Sequence, residues 1–408
     1  MTTLDVGRLE TARPGDLADA RDLMLDSGRD GKALLLRGGG TKLDWGAPPE
    51  RTDLVVDTTG LSGLVAHNPE DSTAVVQAGM PLAALQEHLA DSDQWLAVDP
   101  PETDAGATVG GVVATNSSGP RRLRYGSIRD LVIGVTIVLP DGSVARAGGH
   151  VIKNVAGFDL MRLVTGSFGT LALVAEVVVR LHPLPGPART VGVPADAATA
   201  TAVTLELLAA PVEPVALDWS DVGTGRALGE SGPVLWVRLQ GSETTARAQA
   251  DAVGALAGRR GLESRVLAGD EEAGVWRGLG RAVRGQEGET VVRATTVPSG
   301  LADVASALEA AALHAGVEAS MCSHAGLGLH TARLSGADAA AHAAVVRGWR
   351  GAVAGLGGAA VVRRRVPGLD DPDDIWGDPP SSLGIMRSVK EALDPQRRLA
   401  PGRFPGGL

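Results

Sequence analysis

The run KALLLRGGGTKL places three consecutive glycines, Gly38, Gly39 and Gly40, straight after an apolar segment with the character of a short buried strand. Glycine lacks a Cβ, so such a run lets the backbone turn sharply and brings its amide groups close to a ligand, for which an anion such as a phosphate is the natural candidate. Two common phosphate loops do not fit. A Walker loop needs Gly-x-x-x-x-Gly-Lys-Ser/Thr, whereas Lys42 here follows Thr41. A dinucleotide fingerprint, Gly-x-Gly-x-x-Gly, counted from Gly38 meets Leu43 where its third glycine belongs.

Two later stretches carry the same theme. In TVGGVVATNSSGPRRLRYGSIRD, Thr108, Gly110 and Gly111 are followed by Thr115, Asn116 and Gly119, small residues with amide or hydroxyl groups suited to a flat, polar-edged ligand. KNVAGFDLMRLVTGSFGTLA adds Gly157, Gly166 and Gly169. The formal net charge of −10 argues against nucleic-acid binding, which needs a basic surface. A single cysteine, Cys322, excludes an internal disulfide framework and a cysteine cluster for zinc or iron–sulfur. No apolar run approaches the ~20 residues of a membrane span, and the acidic start MTTLDVGRLE lacks the apolar stretch of a signal peptide. The expectation is a soluble, cytoplasmic protein.

Periodicity divides the chain. Residues 15–30 read as a helix, 32–38, 53–58 and 72–79 as strands, and Pro81 opens a helix with Leu82, Leu85 and Leu89 on one face, so the opening part is expected to alternate strand and helix. Two strands around Pro140-Asp141-Gly142 and another over 170–185 lead to the proline-rich HPLPGP, a domain boundary. From 289 the order is strand, a helix capped by Ser299 and ended by Gly316, a hairpin over 318–334, a helix over 337–355 and a strand over 359–367. This β-α-β-β-α-β order is a ferredoxin-like unit, and the strand at 234–240 with the helix at 243–260 is placed to extend its sheet. The boundaries are drawn at 1–187, 188–370 and 371–408, with the last segment returning to the first domain. No internal repeat is visible.

In this order and spacing, RGGGTKL, the block at 108–130, the block at 153–172 and the carboxy-terminal LDPQRRLAPGRF resemble the FAD-binding domain of the vanillyl-alcohol oxidase / p-cresol methylhydroxylase family. The likeness is strong over 15–187, returns at 393–404, and is greatest to the FAD-binding subunit of bacterial glycolate oxidase and its D-2-hydroxyacid dehydrogenase relatives. It implies an α+β fold: a two-subdomain FAD-binding domain of the p-cresol methylhydroxylase type plus a ferredoxin-like antiparallel cap domain. It further implies that Arg37, Gly38, Gly39, Gly40, Thr41 and Lys42 wrap the FAD pyrophosphate. Thr108, Gly110, Gly111, Thr115, Asn116 and Gly119 would line the flavin and its ribityl chain, and Gly157 with Asp159 to Gly169 would complete the pocket. Members with covalent flavin often carry a histidine in or beside the glycine loop. Thr41 and Lys42 stand there in this chain, so non-covalent FAD is expected.

Oxidising a hydroxyacid over a flavin needs hydride delivery to N5, a base for the hydroxyl proton and a cation for the carboxylate. His324 and His330 in SHAGLGLHTARL are the base candidates. Relatives carry His-x-Gly-Asp-Gly-Asn-x-His and, later, Gly-Glu-His-Gly. The Asp and Asn of the first are replaced here and the second region reads VVRRRVPGLDDP, so no metal site is expected. Arg363, Arg364 and Arg365, alternating across a strand, are candidates for a carboxylate clamp. The resemblance implies the FAD-binding subunit of a glycolate-oxidase-type complex, oxidising a small 2-hydroxyacid and passing electrons to an iron–sulfur partner beside a sister flavoprotein. A stand-alone flavin oxidase or dehydrogenase for another alcohol or sugar acid, and a non-catalytic assembly subunit, are the competing readings.

Overall fold

The computed structural model describes residues 9–149 and 158–408. The chain divides into two compact units, one containing the residues up to Ser118, Gly126–Leu184 and Asp378–Leu408, the other Gly119–Tyr125 and Pro185–Gly377. No helix of the described residues is long and apolar enough to cross a membrane.

The first unit opens with β1 (Thr11–Ala12), α1 (Leu17–Arg29), β2 (Leu34–Arg37) and β3 (Leu54–Asp57). The Asp16 side chain caps α1 by accepting from the Asp19 amide, and Ala20 and Met24, one turn apart, are buried with Leu34, Leu54 and Val56. The three strands form a parallel sheet in the order β1-β3-β2. Then come β4 (Leu64–Asn68), β5 (Thr73–Gln77), α2 (Leu82–Ala90), β6 (Gln94–Trp95) and α3 (Val109–Thr115). After α4 (Arg122–Tyr125), which belongs to the other unit, follow α5 (Ile128–Leu131), β7 (Val132–Val138), β8 (Val144–Gly148), α6 (Leu160–Val164), β9 (Leu173–Arg180) and β10 (His182–Pro183). β4-β5-β9-β7-β8 is an antiparallel sheet, and β6 pairs with β10 antiparallel. The strands after Asp57 in this unit therefore pair antiparallel. β4 and β5 are joined by the short turn Pro69–Ser72, which suits antiparallel strands, whereas a parallel pair needs a long crossover.

The second unit runs β11 (Ala188–Pro194), α7 (Ala197–Ala209), β12 (Ala216–Ser220), α8 (Val222–Ala227), β13 (Val234–Gln240), α9 (Glu243–Arg259), β14 (Arg265–Leu267) and α10 (Gly269–Arg284). It continues with β15 (Thr290–Thr295), α11 (Leu301–Ala315), β16 (Glu318–His324), β17 (Leu329–Ser335), α12 (Ala339–Gly355), β18 (Ala359–Arg364) and α13 (Pro372–Trp376). One eight-stranded antiparallel sheet results, in the order β14-β11-β13-β12-β16-β17-β15-β18. The expected ferredoxin-like unit is present as β15-α11-β16-β17-α12-β18. The segment before it, β11-α7-β12-β13-α9-β14, repeats the same order, and the halves join edge to edge where β12 pairs with β16. Ser299 does not cap α11: it lies inside the 3₁₀ turn Pro298–Gly300, and the cap position is Gly300, which has no side chain to donate or accept. Gly316 does end the helix, at φ 65°. On one sheet face Ala216, Val234, Trp236 and Cys322 are buried with Val275, Trp276 and Leu279 of α10.

The carboxy-terminal segment completes the first unit. The Leu34 amide donates to Arg398 O at 2.7 Å and the Ala400 amide donates to Leu34 O at 2.9 Å, so the tail runs as a parallel bridge beside β2. Its helix, α14 (Leu383–Leu393), ends in a buried ion pair. Lys390 Nζ donates to Asp394 Oδ2 at 2.7 Å, to Thr170 O at 2.7 Å and to Leu399 O at 3.0 Å, while Asp394 also accepts from the Arg398 and Leu399 amides. Burial holds the Lys390 ammonium below the ordinary lysine range despite its carboxylate partner. Replacing Asp394 with Asn strands that ammonium in the interior, so the variant should lose about 3 kcal/mol or more of stability, read as a lowered urea midpoint at unchanged slope.

Candidate functional site

In the first unit Arg37 to Leu43 and the start of α3 wall a cavity together with Thr58, Ala78, Thr115, Phe168, Gly169 and Arg403. Its glycines are required for different reasons. A Cβ on Gly38 would stand 2.1 Å from Thr108 Oγ1 and one on Gly39 would stand 1.9 Å from Gly106 O, so the glycine loop crosses the segment before α3 with no room for a side chain. At Gly40 a Cβ would make only ordinary contact, its nearest atom lying 3.8 Å away, but the residue sits at φ 73°. A Cβ on Gly110 would meet Ala78 Cβ at 2.6 Å, and the Gly111 amide donates to the α3 cap, Thr108 Oγ1, at 3.3 Å. Gly38 and Gly39 thus admit another stretch of the chain rather than the ligand itself. The consequence for a ligand lies in the amides: among the described residues, nothing accepts from the N–H groups of Gly39, Gly40, Thr41 or Lys42. Four consecutive unclaimed donors on a cavity wall make an anion nest.

Of the other residues anticipated from the sequence, Arg37, Thr108, Gly110, Gly111, Thr115 and Gly169 line this cavity, and Asn116, Gly119 and Asp159 do not. Asn116 ends α3 in the left-handed region at φ 47°. Gly119 begins the short segment that belongs to the second unit. Asp159 caps α6, accepting from the Arg162 amide at 3.0 Å and pairing with the Arg162 guanidinium at 3.2 Å. Gly157 lies outside the described residues.

Several supports were not anticipated. Lys42 Nζ, almost fully buried, lies 3.5 Å from Glu102 Oε2 and donates to Thr41 Oγ1 at 3.2 Å. Glu102 also accepts from Ser117 Oγ at 3.0 Å. Burial draws the Lys42 pKa below the ordinary lysine value, with Glu102 pulling the other way. Arg403, from the tail, donates to the carbonyls of Lys42, Leu43 and Trp45 at 3.2, 2.9 and 2.8 Å. Glu102 sits in PPETD, shortly before the glycine pair of α3, and Arg403 in the carboxy-terminal PGRF. A glutamate whose lysine partner lies in a different loop leaves no local signal.

In the second unit the two histidines face opposite ways. β16 and β17 pair Ser323 with His330 and His324 with Leu329, so side-chain alternation places His330 on the face of Ser323 and His324 on the other. Fully buried His330 has Nδ1 2.9 Å from Ser323 Oγ and Nε2 2.8 Å from Thr296 Oγ1. Thr296 Oγ1 donates to Val297 O at 2.9 Å, so it accepts from His330 Nε2, and Nδ1 accepts from Ser323. Burial, reinforced by His324 and Arg293, pushes His330 down to about 4. His324 Nδ1 lies 3.0 and 2.9 Å from the two carboxylate oxygens of Asp218 on β12, and its Nε2 is buried with no hydrogen-bond partner among the described residues. Cys322 shares this face, its thiol pushed up to about 12 by burial and the nearby Asp218. Register sets Arg293 opposite Thr331 and Thr331 opposite Cys322, so Arg293 also shares the face of His324. The arginine triplet does not simply alternate: a bulge pairs Val292 with Val362 but Val291 with Arg364, leaving Arg363 as the extra residue, and Arg365 Nε donates to Asp370 Oδ1 at 3.0 Å.

Residues 10–148 match the family described as FAD binding domain, and residues 196–360 and 378–404 match the C-terminal domain of FAD linked oxidases. The glycolate oxidase subunit GlcE of Escherichia coli (strain K12) is 31% identical over 225 residues, covering 55% of this chain and 61% of that protein. The glycolate oxidase subunit GlcD of Bacillus subtilis (strain 168) is 35% identical over 192 residues, covering 47% of this chain and 41% of that one. The chain therefore spans less than two thirds of the length of these relatives. Among solved structures, p-cresol methylhydroxylase with substrate bound superposes with a TM-score of 0.73 at 15% identity, covering 96% of this chain and 88% of that one. That likeness bears out the α+β fold of the p-cresol methylhydroxylase type.

Two outcomes follow from this geometry. Gly39→Ala drives a Cβ into the Gly106 carbonyl and should weaken FAD uptake at least tenfold, measured by flavin fluorescence titration, whereas Gly40→Ala should retain FAD at a stability loss of about 1 kcal/mol. For His330 the folded value of about 4 lies below the ordinary 6.5, so its contribution is fully present above pH 6.5 and is lost as the pH falls toward 4. That loss is on the order of 3 kcal/mol, and His330→Gln should flatten the fall in urea-measured stability across this window.

Proposed function

The chain belongs to the FAD-linked oxidases, and from that premise we propose that it holds FAD non-covalently in the cavity of its first unit and oxidises a small 2-hydroxyacid. The observation that carries the reading is the run of four unclaimed amides from Gly39 to Lys42 on the cavity wall. These donors, with the Lys42 ammonium beside them, suit the diphosphate of FAD. Thr108, Gly110 and Gly111 supply a wall without bulky side chains, and Arg403 fixes the loop by its carbonyls. Among the described residues no histidine, cysteine or tyrosine lines the cavity, which supports non-covalent attachment. FAD bound there supplies a two-electron acceptor for the hydrogen on the hydroxyl-bearing carbon.

The second unit carries the candidate base. His324 is the candidate base in this reading, its second nitrogen unpartnered among the described residues. His330 serves as a packed neutral residue with both nitrogens occupied. The E. coli relative is named a subunit of glycolate oxidase. A chain with one cysteine cannot ligate an iron–sulfur cluster by itself, so electrons pass in this reading to a separate iron–sulfur chain, beside a sister flavoprotein.

The test is an anaerobic visible spectrum of the FAD-loaded chain before and after adding glycolate or D-lactate. Bleaching of the flavin band is the expected result. A band that persists with both acids, yet bleaches with dithionite, would remove the oxidation from this chain while leaving FAD binding intact. A chain that takes up no FAD would overturn the reading altogether.

A further inference from the structure

We infer that Arg403 is a positioning residue for the cofactor: by gathering the carbonyls at the far end of the glycine loop it presets the loop for FAD, so that docking of the carboxy-terminal tail and occupancy of the cavity strengthen each other. This rests on the reading that FAD is held in the cavity of the first unit, and every residue invoked belongs to that unit. Arg403 and Lys42 are 361 positions apart, so nothing local in the sequence pairs them. Arg403 is 4% exposed and lines the cavity, and a single terminal nitrogen, Nη2, lies 3.2, 2.9 and 2.8 Å from the carbonyl oxygens of Lys42, Leu43 and Trp45. Three carbonyl oxygens drawn to one nitrogen would repel one another without the cation between them.

The four unclaimed amides, Gly39 to Lys42, are suspended between two held ends. On the near side β2 ends at Arg37, which pairs in register with Asp57 and donates to its carboxylate at 2.9 Å. On the far side Arg403 holds Lys42, Leu43 and Trp45. The backbone of the tail repeats the pattern. It bonds Leu34 before the loop, through the Arg398 carbonyl at 2.7 Å and the Ala400 amide at 2.9 Å, and accepts from the Ala47 and Glu50 amides after it, on Arg403 O at 3.2 Å and Pro401 O at 2.8 Å. The tail therefore spans both ends of the loop, and Phe404, the next residue, rests against the cavity-lining Phe168 with ring centroids 5.8 Å apart.

A loop fixed at one end only has to be ordered by its ligand at the moment of binding, and that loss of entropy lowers affinity. Holding both ends removes the cost. The tail depends on its contacts in turn. Arg397 and Ala400 lie at φ 50° and 42°, a left-handed conformation that side chains disfavour, so this stretch keeps its path through its contacts rather than through local preference. Because binding free energies are linked, whatever factor the docked tail adds to FAD affinity, FAD adds to docking of the tail. Lys390 and Arg398 anchor the tail at other places, so removing the Arg403 side chain frees the loop while leaving the tail attached.

The test reads FAD affinity and amide hydrogen exchange on the full chain. Saturating FAD should slow exchange of the Trp45 and Ala47 amides, which donate to Lys42 O and Arg403 O, and of the Ala400 amide in the tail, by roughly tenfold. Arg403→Ala should weaken FAD binding by about tenfold or more in a flavin fluorescence titration, and should speed exchange at Trp45 and Ala47 in the FAD-free chain. Arg403→Lys, which keeps the charge without the fork, should recover part of the affinity. Arg397→Ala, removing an exposed guanidinium of the same tail that donates to Gly407 O, should change FAD affinity by less than about twofold. A residue that only fastened the tail would lower stability in Arg403→Ala yet leave the FAD affinity of the folded protein alone, and that result overturns the inference. So do parental amides whose exchange is indifferent to FAD, an outcome that needs no variant to fold. A chain that takes up no FAD overturns the reading of the cavity together with the inference, whereas either of the other two results leaves FAD binding standing.

Discussion

Segments of the first unit cross closer than side chains permit, and the cavity depends on those crossings. Gly39 lies against the Gly106 carbonyl, Gly110 against Ala78, and Gly79 against the carbonyls of Thr58 and Leu61. The crossings are stitched by backbone bonds: the Gly79 amide donates to Leu61 O at 2.7 Å, the Gly110 amide to Ala78 O at 2.6 Å and the Leu82 amide to Ala107 O at 2.8 Å. Every backbone donor in a folded chain has to be accounted for. At the start of α3 the protein itself uses them, whereas from Gly39 to Lys42 they have no acceptor among the described residues.

The acceptors of the same loop are treated in the opposite way. Arg403 collects the carbonyls of Lys42, Leu43 and Trp45, and the Ala47 amide donates back to Arg403 O at 3.2 Å. The loop's carbonyls are therefore held by the protein while its amides are left unclaimed in residues that line the cavity, a separation that suits an anion without requiring many cationic side chains. The carboxy-terminal tail is thus part of the site. Arg398 anchors the same tail by donating to Lys32 O, Pro140 O and Ser27 Oγ at 3.1, 2.9 and 2.8 Å, and the Lys390 and Asp394 pair closes it from the other side.

Much of this was legible in the sequence, for a physical reason. Glycine positions are dictated by backbone geometry, so KALLLRGGGTKL announced a tight, donor-rich turn even though the contact excluding a Cβ at Gly39 is with Gly106 rather than with a ligand. The hairpin over 318–334 and the helices around it follow from local periodicity. The duplication of the ferredoxin-like order did not show, because a β-α-β-β-α-β topology asks only for alternation and turn signals, which two unrelated residue strings meet equally well. Asp159 misled because a carboxylate in a glycine-rich block looks the same whether it faces a pocket or, as here, caps a helix. Glu102 and Asp218 were invisible, since each acts on a residue distant in sequence.

The two histidines show how far strand parity decides chemistry. SHAGLGLH places them six positions apart on a hairpin, and from composition alone they form one candidate pair. Register separates them: Ser323, not His324, stands opposite His330, so the imidazoles emerge on opposite faces of the sheet and no single ligand can sit between them. On the His330 face the surrounding hydroxyls fill both nitrogens, and burial keeps the ring neutral, which is the state a packed core residue needs. On the His324 face the neighbour is a carboxylate and the second nitrogen is open. Desolvating a buried carboxylate costs stability unless it is paired, and a partner whose own second nitrogen is left unfilled adds a further penalty, so folding alone does not favour the arrangement. Strand parity, rather than the histidine spacing that first drew attention to the hairpin, therefore decides what surrounds each imidazole.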